Sequence, residues 1–125
     1  MNHLASLSVP LLLAAMTSHV QADPWWLERQ ADRAPQRFLV ERVMPGASKS
    51  PAAEFRVGAA KSNAVLRELG PDIQWLHSYV AGDKLYCVYL ASSESLIREH
   101  ARRSGFPADK ITPITAVLDP TTASR

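Results

Sequence analysis

An α+β fold of order β-α-β-β-α-β, with one four-stranded antiparallel sheet and both helices on one of its faces, is predicted by three features of this 125-residue sequence. Two alternating apolar runs flank a Gly82-Asp83 turn. Two stretches repeat apolar residues at helical spacing between clear start and stop signals, and a β-rich segment stands at either end. The length suits one domain with one core.

The opening residues, "MNHLASLSVPLLLAAMTSHVQA", contain no Asp, Glu, Lys or Arg and carry an apolar run from Val9 to Met16. They end in Val20-Gln21-Ala22, with small residues at the positions signal peptidase reads, and the run is too short for a stable bilayer anchor. Residues 1–22 are therefore expected to be a signal peptide, cleaved after Ala22, which sends the protein to the periplasm or beyond without stable membrane insertion. Residues 23–36 mix charge, two prolines and the adjacent Trp25 and Trp26 without a regular period. They read as an arm or linker.

The domain proper is expected over 37–120, with a tail at 121–125. "RFLVERV", residues 37–43, is rich in β-formers and stops at Met44-Pro45-Gly46, which makes it the first strand. Ser50 is expected to cap the first helix with Pro51 at its first position. Phe55, Ala59, Ser62, Leu66 and Leu69 then recur at helical spacing up to Gly70-Pro71.

"IQWLHSYVA" and "KLYCVYLA" form a tight hairpin around Gly82-Asp83. With Val80 opposite Leu85, Ser78 faces Cys87, Leu76 faces Tyr89, His77 faces Val88 and Tyr79 faces Tyr86. One sheet face then gathers Trp75, His77, Tyr79, Tyr86, Val88 and Leu90, and the other Leu76, Ser78, Val80, Leu85, Cys87 and Tyr89. Ser93 caps a second helix, "ESLIREHARRS", whose Leu96, Ile97, His100 and Ala101 share one side until Gly105 and Pro107 end it. "KITPITAVL", residues 110–118, is the last strand. Pro113 places it at an edge or at a bulge.

This order is the ferredoxin-like split βαβ pattern. Two helices cover only one sheet face, so the other calls for a partner, and a two-fold homodimer of the dimeric α+β barrel type supplies one. The charge balance points elsewhere than nucleic acid: 14 Lys+Arg against 12 Asp+Glu leave a net +2 spread along the chain, with no basic stripe.

The segments "VERVMPG" (40–46), "WLHSYV" (75–80), "DKLYCVY" (83–89), "IREHARRSGFPADKI" (97–111) and the closing "LDP" (118–120) resemble, in order and spacing, a family of small bacterial nickel-binding, dimeric ferredoxin-like proteins, formerly a domain of unknown function. The resemblance implies a homodimer and nickel binding. The leader, the tryptophan arm and the long first connection "ASKSPAAEF" depart from the compact family pattern.

Imidazole suits nickel, zinc and copper, and carboxylates complete octahedral sites. After the leader only His77 and His100 remain. His77 is placed on a central strand with Tyr79 beside it, and Glu41 on the first strand is the nearest carboxylate in topology, so His77, Glu41 and His100 are the candidate metal ligands. The competing readings are a hydrogen-bonded core histidine for His77 and, for His100, a bond to a backbone carbonyl or to Glu99.

Tyr79, Tyr86 and Trp75 are the candidate lining of a pocket for a small organic molecule on the open face, the alternative to a metal-handling role. No nucleophile, base and orienting group fall together, and no phosphate loop is present, so an enzyme is the lesser reading. Cys87, the only cysteine, is either a small buried hydrophobe or the source of an intermolecular disulfide.

Overall fold

The computed structural model describes residues 34–125. The expected signal peptide, 1–22, and the expected tryptophan arm as far as residue 33 lie outside the described residues. Four strands and two helices follow one another: β1 (Gln36–Val43), α1 (Ala52–Leu69), β2 (Ile73–Ala81), β3 (Lys84–Ala91), α2 (Glu94–Ser104) and β4 (Lys110–Pro113). The sheet runs β2-β3-β1-β4 with every pairing antiparallel, the ferredoxin-like arrangement.

Alternation along β1 sends Phe38, Val40 and Arg42 to one face. On that face Phe38 and Val40 join Ile73, Cys87, Tyr89, Ala91 and Ile97 in the core, against which Leu66 and Leu69 of α1 and Leu96 of α2 pack. Both helices thus cover the same side of the sheet. Cys87 is buried here as a small hydrophobe, without the exposure that an intermolecular disulfide needs. Among the described residues, no helix is long and apolar enough to cross a membrane.

The local signals act where the sequence places them, with four displacements. Ala81 pairs with Lys84, so Gly82-Asp83 forms a two-residue turn, and Gly82 supplies its positive φ of 59°. The turn is pinned from outside: Met44 N–H donates to the Asp83 carbonyl at 2.7 Å, and Asp83 Oδ1 accepts from Gly46 N–H at 2.8 Å. Ser93 Oγ accepts from Leu96 N–H at 3.4 Å, the expected cap of α2, and Gly105 ends that helix at φ 73°.

The first displacement is at α1, which begins one residue later than expected. Pro51 occupies the N-cap, no side chain caps the helix, and Ser50 lies outside it. The second is at β4, which ends at Pro113 rather than 118; Pro113 is tolerated because β4 is an edge strand and the flanking bond to β1 comes from Ile114 N–H, which donates to the Arg37 carbonyl at 2.9 Å.

The third is a bulge in β2. Trp75 pairs with Tyr89 and His77 with Val88, so Leu76 is the extra residue and does not face Tyr89. Trp75 thereby turns inward, away from the face of His77 and Tyr79, and donates Nε1–H to Ser78 Oγ at 2.9 Å. Packing the half-buried indole, the largest apolar surface in the strand, against the core offsets the break in alternation. The fourth concerns His77: its strand, β2, is the outer strand beside β3 and not a central one.

Candidate functional site

The open face carries the residues chosen as ligands and pocket lining on two rows of the sheet. Glu41 lies opposite Tyr86, which lies opposite Tyr79; one step along, Leu39 lies opposite Val88, which lies opposite His77. Directly opposed residues share a face, so Glu41 and His77 do stand on the same side. They do not meet. β3 runs between their strands, and two strand spacings separate the backbones by about 10 Å.

His77 is exposed and sets its ring edge-on to Tyr79, with centroids 5.1 Å apart. Glu41 is half-buried and takes Lys84 Nζ at 3.5 Å. Tyr79 and Tyr86 remain on this face as expected, while the bulge removes Trp75 from it.

His100 lies on the other side of the sheet. It is fully buried in α2 and tilts its ring against Tyr89 at 5.5 Å between centroids. Its Nε2 is 3.0 Å from Ser62 Oγ of α1, and Nδ1 has no hydrogen-bond partner. The expected bond to a carbonyl or to Glu99 is not made, because Glu99 turns outward to Arg102 and Arg103, both at 2.7 Å. Burial first, and the neighbouring Arg42 charge second, push the imidazole down from 6.5 to about 4. His100 is thus a neutral tie between the two helices.

The three candidate ligands therefore split between two faces. Among the described residues, no group of three or more His, Cys, Asp or Glu side chains could hold a metal ion. The described residues of one copy do not by themselves fit the coordination demand of nickel.

The inner face holds what the sequence reading missed. Between α1 and the sheet lies a cavity of about 360 Å³, walled by Phe55, Trp75, Leu85 and Phe106 and reached by Arg42. Arg42 is only 2% exposed. It donates Nη1–H to the Pro107 carbonyl and Nη2–H to the Tyr89 hydroxyl, the latter at 3.2 Å. The Tyr89 and Phe106 rings flank the guanidinium with centroids 5.9 and 5.8 Å away. Burial raises the Tyr89 phenol above its usual 10, with the Arg42 charge opposing the rise. The signal was legible: in "RFLVERV" Arg42 shares the inward period of Phe38 and Val40.

Comparison with known proteins adds a sequence match and a fold match. Residues 38–114 match the family described as nickel responsive protein SCO4226-like. The crystal structure of SCO4226 from Streptomyces coelicolor A3(2) superposes with a TM-score of 0.56 at 18% identity, over 66% of this chain and 99% of that one. No curated protein matches the chain.

Proposed function

We propose, on the premise that this chain belongs to the SCO4226-like family of nickel-responsive proteins, that it is an exported homodimer that binds nickel or another divalent cation at a site shared between two copies, for sequestration or handling of the metal. The observation that carries the reading is the placement of His77. An exposed imidazole stands on a sheet face whose Leu39, Tyr86, Val88 and Leu90 want cover, while the described residues of one copy offer no cluster of three or more ligands. A two-fold contact on this face brings a second His77 and a second Glu41, so each copy need supply only half of a coordination sphere. His100, buried across the sheet, takes no part.

Imidazole binds metal only when neutral, so affinity falls on acidification. The expected calorimetric result is one nickel site per dimer, weakened at least about tenfold by His77→Ala and less by Glu41→Gln. Light scattering on the same samples gives the oligomeric state. A monomer that binds nickel with unchanged affinity after His77→Ala overturns the shared site. Export is tested separately by intact-mass analysis of protein from a fractionated native host, where a chain beginning at Asp23 is expected and a cytoplasmic full-length species refutes the leader.

A further inference from the structure

We propose that the cavity between α1 and the inner face of the sheet binds a small apolar molecule with a single anionic head, and that Arg42 is the residue that holds the head. The cavity, at about 360 Å³, falls within the range of small-molecule sites and has their composition: aromatic and aliphatic walls around few polar groups. Its polar feature is a full positive charge. Arg42 is buried, yet among the described residues no carboxylate lies within ion-pair distance of it. A buried charge without a counter-charge is among the costliest arrangements in a protein.

Nothing lining the cavity neutralises Arg42. Its hydrogen-bond partners are a carbonyl and a phenol, both uncharged, and burial keeps the Tyr89 phenol protonated well past neutral pH. Glu54, the only carboxylate along the walls among the described residues, is exposed and is not paired with Arg42. A guanidinium has five N–H donors, and the two hydrogen bonds to Pro107 and Tyr89 leave others free for a carboxylate. The rings of Phe106 and Tyr89 hold the guanidinium plane in place, so a ligand head meets a preorganised fork. An apolar tail then lies along Trp75, Leu85 and Phe55, on the side where α1 stands off the sheet and leaves Val80 41% exposed. The site is on the opposite face from His77 and is independent of metal.

The test is displacement of the fluorescent probe 1-anilinonaphthalene-8-sulfonate from the purified protein by octanoate and by octanol, which share a tail and differ in the charge of the head. Octanoate is expected to displace the probe at a concentration about tenfold or more below that of octanol, as a charge-assisted contact in a desolvated site requires. Arg42→Met removes that preference. Gly58→Leu, which adds a side chain into the cavity from α1 on the Phe106 side and leaves the Arg42 charge in place, weakens both ligands while the far-ultraviolet circular dichroism is retained. Equal displacement by octanoate and octanol, displacement by neither, or unchanged binding in Gly58→Leu overturns the proposal, and these outcomes decide it even where Arg42→Met does not fold.

Discussion

Acid should loosen this domain through His100 before it does so through most carboxylates. The ring is fully buried and its pKa lies at about 4 in the folded chain against 6.5 when free. The unfolded chain therefore binds a proton that the folded chain refuses. Stability is complete above pH 6.5, declines as pH falls below it, and reaches its full loss below about 4. At about 1.36 kcal/mol per pH unit the displacement sets a ceiling of about 3 kcal/mol, and about two thirds of that is already lost at pH 5. Water penetration and local relaxation reduce the loss at pH 5 to about 1–2 kcal/mol.

The perturbation is His100→Gln, which does not titrate and keeps a side chain able to bond Ser62 Oγ. Urea unfolding of both proteins at pH 8, 6 and 5 isolates the contribution, because the carboxylates common to both cancel in the difference. Wild type should lose about 1–2 kcal/mol more than His100→Gln between pH 8 and pH 5. Parallel pH dependence of the two proteins would refute the assignment of the depressed pKa to a buried neutral His100.

Three further outcomes follow from the backbone and the caps. Gly58 lies within α1, and a Cβ there would meet Phe106 Cζ at 3.9 Å, ordinary contact; Gly58→Ala should stabilise the domain by about 0.5–1 kcal/mol in urea unfolding. Gly82→Val forces a β-branched residue to φ 59° in the hairpin turn and should cost about 1–2 kcal/mol, read as a lowered melting temperature. Ser93→Ala removes the cap of α2 and should cost about 1 kcal/mol, with the loss restored by Ser93→Asp.

The sequence alone determined the order of elements and their punctuation, because these are local. Gly82-Asp83 turns the hairpin, Ser93 and Gly105 bound α2, Pro113 marks β4 as an edge strand, and the period-2 pattern of β1 and β3 selects the buried face. Register through the turn followed as well, from Val80 opposite Leu85 back to His77 opposite Val88. Beyond that point local rules lose to packing. No pattern in "IQWLHS" announces the bulge at Leu76; it exists because the core beneath β2 accepts an indole, and its effect is to move Trp75 from one face to the other.

The site required the tertiary structure for the same reason. Chain order does not say which strand lies outermost, and the strand order β2-β3-β1-β4 is what holds Glu41 and His77 apart on one face. The helical spacing of Ser62 and His100 identified two helix faces, but only the packing of α1 on α2 brings the hydroxyl to the imidazole. Arg42 was visible as a charge in an inward position. That it lies beside a cavity with no ion-pair partner among the described residues is a property of the assembled layers, since burial and surroundings exist only once the helices close over the sheet.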